Sequence, residues 1–327
     1  MPGGREGARE DGRLSVAAAR RIIAGMRRIV FEMETSDPDD FMTLLWLADH
    51  PEVELAGVVV TPGSRDQCQL VRWGLDRCGR SDVPIGALHG PGWWAGSDGQ
   101  KPRVSGFHYD VYGAGIREHA VGEVVEGPAL LALLLADPNT TVVVGSAPKN
   151  LGKAFREHPA LHLGRWVQQG GFAGDNLVAT PLEKFRGRLT CASFNPGGAP
   201  KDTLALLASP QIDRRLFVSK NVCHGVQWTG ELQAALKRRI AERGGGARVG
   251  LATMIHALDR YLEDRGVAKA MHDLVAAACA LQPEVCEFVE VEVYRERGEW
   301  GARASEGTHT FISVGFHEPR FVEVLAG

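Results

Sequence analysis

The sequence predicts an α/β fold of the Rossmann-like class: a single domain with a mostly parallel sheet, helices on both faces and an appended antiparallel strand pair. Three observations predict it. Short β-branched runs alternate with longer helical stretches along most of the chain, as strand–helix–strand units require. Near the C-terminus, residues 288–295 alternate apolar and acidic side chains, and 310–315 reads as a second strand. Gly298, Gly301 and Gly307 lie between them, which suits an antiparallel pair. No internal repeat or Pro/Ser-rich linker divides the 327 residues, so 27–327 is expected to be one unit.

The first strand is expected at 28–31, where Ile29, Val30 and Phe31 form a buried run. A helix follows at 41–48 and turns Leu44, Leu45 and Leu47 inward. Strands at 53–60, 83–87, 140–144, 165–168 and 216–218 extend the parallel set. Helices at 67–77, 128–136, 151–157 and 203–207 supply the crossovers. Gly244, Gly245 and Gly246 mark a loop between helices, not a domain boundary.

Residues 1–26 are rich in Arg, Gly and Ala, with Glu6, Glu10 and Asp11 interrupting the positive charge. They read as a flexible leader, ending in a short surface helix at 14–23, and lack the apolar core of a secretory signal. The net charge of −3 gives no electrostatic case for nucleic acid or an anionic membrane as partner. No apolar run is long enough to cross a bilayer. The six cysteines include no Cys-x-x-Cys pair, which argues against a disulfide scaffold or a structural zinc site and for a reducing cytoplasm.

In open parallel sheets, ligands bind beyond the carboxyl ends of the strands. The first strand runs straight into Glu32, Glu34, Asp37, Asp39 and Asp40, five carboxylates within nine residues, just ahead of an apolar helix. A solvated turn with a helix cap accounts for one or two of them. It does not account for Glu32 and Glu34 at the end of a strand that should be buried. Carboxylates this close repel one another unless a cation neutralises them, and such oxygen ligands suit Ca²⁺ or Mg²⁺. A divalent-cation site is the stronger reading.

This loop resembles the Asp-x-Asp-x-Gly-x-Asp-Asp motif of the inosine-uridine preferring nucleoside hydrolases. Asp39 and Asp40 match the terminal pair. Glu32 and Glu34 match the first two acids when one extra residue is allowed, and the motif's glycine is absent. The resemblance extends over roughly 28–316. Thr61-Pro62-Gly63-Ser64 is similar to a Thr-x-x-Gly-Asn segment, with Ser64 in place of the asparagine. His108-Tyr109, ahead of Gly113 and Gly115, is similar to a histidine-bearing loop near the base pocket. The segment from Gly145 to Asn150 resembles Gly-Pro-Leu-Thr-Asn, which makes Lys149 the residue whose carbonyl would face the metal. Gly170-Gly171 with Gly174 and Asn176 resembles a Gly-Gly…Gly-Asn loop. Ser193-Phe194-Asn195 stands where relatives have Glu-Phe-Asn, so Ser193 replaces a sugar-binding carboxylate. His272-Asp273 opens an apolar helix as the family's His-Asp does.

The resemblance implies a hydrolase that cleaves the N-glycosidic bond of a ribonucleoside with a metal-activated water. It implies one Ca²⁺, held by Glu34 or Asp37 with Asp40, the Lys149 carbonyl and Asp273. Glu34 or Asp37 would take the proton of the water, Asp39 would stabilise the sugar, and His272 would donate a proton to the departing base. Asp39, Asn176, Asn195, His108 and Ser64 would bind the substrate. A cytoplasmic homo-oligomer acting on a small nucleoside-like molecule is the implied setting. Because Ser64 and Ser193 stand in for larger polar groups, unmodified inosine and uridine are expected to turn over poorly. Three other readings stay open: a phosphohydrolase of the haloacid dehalogenase type, a non-catalytic riboside-binding relative, and an N-glycosidase for a nucleotide or modified nucleoside. The first needs an aspartate nucleophile directly after the first strand, where this chain has Glu32.

Overall fold

A computed structural model of the protein describes residues 26–90, 92, 103–244 and 248–327. The leader helix expected at 14–23, together with Gly245 and Gly246 of the glycine loop, lies outside the described residues.

The first strand, β1 (Arg27–Met33), is buried from Ile29 onward. Burial on both faces is what a central parallel strand requires. Ile29, Phe31 and Met33 join one apolar core, whereas Val30 belongs to the core on the opposite face. The period-two alternation thus turns Glu32 toward the same side as Val30. The chain then builds outward on one side of β1 through β2 (Val53–Val60), β3 (Ile85–Ala87) and β4 (Val124–Glu126), all parallel. It crosses back to place β5 (Thr141–Val144) against the other side of β1, with β6 (Leu163–Gln169) next. After β7 (Thr190–Cys191), the strand β8 (Ile212–Val218) pairs parallel with β6. The strand order therefore reverses between β1 and β5, and the crevice at their carboxyl ends is the switch point where such sheets bind ligands.

The helices fill both faces. α1 (Pro38–Ala48) follows β1, with Asp37 as N-cap accepting from the Asp39 amide and Pro38 at the first helical position. α2 (Arg65–Arg77), α3 (Gly106–Tyr112), α4 (Gly127–Leu134), α5 (Lys149–Glu157) and α6 (Pro200–Ala208) come next. Beyond β8, the two-residue strands β9 (Gln227–Trp228) and β10 (Lys269–Ala270) form a small antiparallel ladder. Between them run α7 (Gly230–Glu242) and α8 (Val249–Arg265), and α9 (His272–Leu281) starts directly after β10.

The C-terminal strands carry the expected antiparallel pair and more. β11 (Cys286–Glu296) runs antiparallel to β13 (Thr310–Phe316), and β13 itself joins the parallel set beside β8. The glycine-bearing stretch between them, expected as connection, forms β12 (Glu299–Ala304), which pairs with β11 and then with β7. Gly298, at φ 89°, takes the left-handed backbone of the tight turn, which a residue with a β-carbon adopts only with strain. The strand expected over 83–87 begins only at Ile85, because Pro84 has no N–H to pair and instead accepts from Val58 through its carbonyl. The final helix, α10 (Glu318–Ala326), packs its apolar face onto the core. No described helix is long and apolar enough to cross a membrane, and all six cysteines are free thiols.

Candidate active site

At the β1/β5 crevice the acidic loop separates into groups with different tasks. Glu32 is fully buried and faces the amino end of α5. Its carboxylate accepts from the Asn150 and Leu151 amides at 2.8 and 3.1 Å, and from Thr61 Oγ1 at 3.2 Å. Burial outweighs these bonds and raises the group to about 7. Glu32 is thus a buried cap for α5, which explains one of the two acids that a simple turn could not.

Asp39 and Asp40, in the first turn of α1, and Asp273, in the first turn of α9, are 1%, 2% and 3% exposed. One oxygen of each lies within 4.8 Å of the others. Asp39 Oδ2 accepts from the His272 and Asp273 amides at 2.9 and 3.2 Å, so it caps α9 and brings Asp273 toward Asp40. Burial, then the facing carboxylate of Asp273, pushes Asp40 well above the usual range. Burial, followed by the charges of Asp39 and Asp37, does the same for Asp273. No amide, hydroxyl or ammonium group of the described residues reaches Asp273 Oδ1. Two acids held up by burial and by the neighbouring carboxylates, one with an unpartnered oxygen, fit a hard divalent cation.

Gly145, directly after β5, closes this pair from below. A β-carbon on Gly145 would lie 2.9 Å from Asp273 Oδ1 and 3.0 Å from Asp40 Oδ1. Its carbonyl accepts from Asn195 Nδ2 at 2.7 Å, and the same amide group donates to Gln169 Oε1 at 2.6 Å. Glu34 lies against the group: its amide donates to Asp40 Oδ1 at 3.0 Å, and its carboxylate accepts from the amides of Thr35 and Ser36. Asp37 is turned away into a 2.7 Å ion pair with Lys269, whose ammonium also reaches Asp39 Oδ1 at 3.4 Å. Burial alone would lower Lys269, but the charges of Asp39 and Asp37 more than offset it and hold the group above an ordinary lysine.

A cavity of about 410 Å³ opens over these carboxylates, a suitable size for a small polar ligand. Asn195, Ser193, Lys220, His224 and His272 complete its walls, and Phe194, 80% exposed, stands at its edge. A larger cavity, near 760 Å³, lies between α2 and α4 around Val83, Leu130 and Leu133, so size alone does not mark the site. Burial, then the nearby Lys269 charge, pushes the His272 imidazole down to about 4.

Of the residues expected from the sequence, Glu34, Asp37, Asp39, Asp40, Asn195, His272 and Asp273 line this one cavity. The others lie elsewhere. Ser64 is the N-cap of α2, its amide and hydroxyl both donating to Gln67 Oε1. His108 is fully buried behind α1, 5.2 Å from the Phe41 ring and stacked on Tyr112. Asn176 is exposed and donates to the Ala302 carbonyl on β12, 3.4 Å away. Lys149, at the start of α5, lines an adjoining cavity with Glu34, Ser36 and Arg103, whereas Gly145 is the backbone that touches the buried acids. Lys269, Gln169 and Lys220 were not expected. Gln169 ends β6 and Lys220 follows β8 by two residues, so the rule that ligands gather beyond strand ends would have found both.

A switch-point cavity floored by buried carboxylates from two distant segments defines a metal-dependent hydrolase on an α/β scaffold. The chain belongs to the inosine-uridine preferring nucleoside hydrolase family, whose model matches residues 29–323. It is accordingly an N-glycosyl hydrolase that cleaves the ribonucleoside N-glycosidic bond. A protein of Aquifex aeolicus (strain VF5) is 27% identical over 284 residues, covering 84% of this chain and 90% of that protein. Among solved structures, a plant nucleoside hydrolase aligns with a TM-score of 0.63 at 17% identity, over 91% of this chain and 97% of its own. The purine-preferring ribonucleoside hydrolase of Gardnerella vaginalis gives 0.62 at 15% identity, over 91% and 96%. The inosine-uridine preferring nucleoside hydrolase of Bacillus anthracis gives 0.63 at 16%, over 92% and 98%.

Proposed function

We propose that the chain hydrolyses the C1′–N bond of a ribonucleoside with one Ca²⁺ held between Asp40 and Asp273. The observation that carries this reading is the buried pair itself, joined from α1 and α9, with Asp273 Oδ1 lacking a donor among the described residues. When bound, the cation supplies positive charge that orients the ribose hydroxyls and makes a water more acidic. Glu34, bonded through its amide to Asp40, is the acid placed to take the proton of that water. Asp37 is the poorer choice, because it caps α1 and is paired with Lys269. Asp39 holds α9 in place and presents negative charge near the sugar, where cleavage develops an oxocarbenium-like centre. Asn195, fixed by Gly145 and Gln169, contacts the sugar. Phe194 is placed to cover the base, and His272, neutral near pH 7, offers the base a hydrogen bond as it leaves.

A second reading keeps the same bond and changes the substrate to a 5′-phosphorylated riboside. It is favoured by the Lys220 side chain beside Ser193 on the cavity wall, where the family motif carries a carboxylate. Both are tested by measuring base release from inosine, uridine and their 5′-monophosphates with Ca²⁺ present. We expect release that Asp40→Asn abolishes while the fold persists, and preference for the monophosphates selects the second reading. No base released from any ribosyl compound overturns both.

A further inference from the structure

Beside the all-oxygen cluster lies a group of different chemistry. Cys223 and His224 come from the short helical turn after β8, and His272 comes from the first turn of α9. The Cys223 sulfur and one ring nitrogen of each histidine lie within 4.8 Å of one another. The two imidazole rings face each other at 4.6 Å between centroids. Cys223 is fully buried, and burial pushes its thiol up to about 12. The Gln169 amide nitrogen, 3.3 Å from the sulfur, offsets this only in part, so a metal must displace the thiol proton. His272 Nδ1 is buried without a hydrogen-bond partner among the described residues. One thiol and two imidazoles form the donor set of a borderline-soft ion such as Zn²⁺, and three protein ligands leave a fourth position open.

We infer that Cys223, His224 and His272 form a second, soft-metal site, distinct from the carboxylate site, which takes Zn²⁺ and closes the histidine side of the cavity. Binding forms one metal–sulfur and two metal–nitrogen bonds and releases the thiol proton to solvent. On the His224 ring, binding displaces the exposed Lys184 ammonium, which lies 2.9 Å from Nδ1. Because His224 and His272 both line the reaction cavity, a metal there removes the imidazoles from contact with a departing base. That consequence rests on the proposed hydrolysis, whereas the binding itself does not.

Co²⁺ is the probe, because a cobalt–thiolate bond gives a near-ultraviolet charge-transfer band that oxygen ligands do not. Titrating the Ca²⁺-loaded protein should raise this band to saturation at one equivalent, and Zn²⁺ should remove it. Cys223→Ser should lack the band and bind Zn²⁺ about 100-fold more weakly, whereas Asp40→Asn should retain it. Micromolar Zn²⁺ should inhibit base release by the unmodified protein and spare Cys223→Ser, whose metal-free melting temperature serves as the folding control. Absence of the band, or equal Zn²⁺ affinity in both proteins, overturns the site. A band without inhibition of a measurable base release overturns the closure. If no base is released even without Zn²⁺, the hydrolysis reading fails and the band alone decides the site.

Discussion

At the residue scale, Lys269 connects the architecture to the chemistry. Its side chain is buried, and its ammonium lies between Asp37 and Asp39 at one edge of the carboxylate group. It therefore neutralises part of the cluster before any cation arrives, and it holds Asp39 with Oδ2 aimed at the start of α9. Removing one partner from a buried pair leaves an uncompensated charge. Asp37 is half exposed, which moderates the loss through solvent screening. Lys269→Met should lower the stability of the chelator-treated protein by roughly 2–3 kcal/mol. Added Ca²⁺ should restore more stability to that variant than to the unmodified protein, because an extra negative charge then faces the cation. Urea melts with and without Ca²⁺ measure both effects, and equal midpoints for the two proteins in chelator would count against this role. Nothing local in the sequence pointed to Lys269. Its position depends on the two-residue ladder of β9 and β10, which is too short to leave a periodic signal.

At the element scale, the site depends on how three helices begin. α1 starts at Asp37, which caps it; α5 starts against the Glu32 carboxylate; α9 starts against the Asp39 carboxylate. Each acid satisfies amides at a helix N-terminus that would otherwise lack partners. Glu32→Ala should leave the Asn150 and Leu151 amides and the Thr61 hydroxyl without their acceptor, at about 1–3 kcal/mol each. Chemical denaturation should therefore report a loss of about 3 kcal/mol or more, with Glu32→Gln recovering part of it through its remaining carbonyl oxygen. A loss under about 0.5 kcal/mol, ordinary for a surface substitution, would remove Glu32 from the capping role. The acidic loop was legible because five carboxylates beside a buried strand have few physical explanations. Their division into helix caps and a buried group of facing carboxylates was not legible, since it turns on which face of β1 and which helix end each oxygen meets. Ser64, His108 and Asn176 illustrate the limit: each occupies a suggestive loop, yet a helix start, an aromatic core and a neighbouring strand claim their side chains.

At the scale of the whole molecule, the order of strands places the chemistry. The chain winds outward from β1 to β4, then restarts at β5 on the other side of β1, and the crevice left between them receives Asp40, Gly145 and Asp273. The alternation of strands and helices, and the C-terminal antiparallel pair, were readable from side-chain periodicity. β4 and β7, three and two residues long, and the glycine-bearing β12 were not, because their pairing comes from neighbours rather than from their own pattern. The central claim is that this crevice holds one divalent cation between α1 and α9. Calorimetric titration of the chelator-treated protein with Ca²⁺ tests it most directly. We predict one Ca²⁺ per chain, with stabilisation of about 2.7 kcal/mol at a hundredfold excess over Kd, and loss of both in Asp273→Asn. No binding heat, together with identical melting in Ca²⁺ and in chelator, would contradict the account.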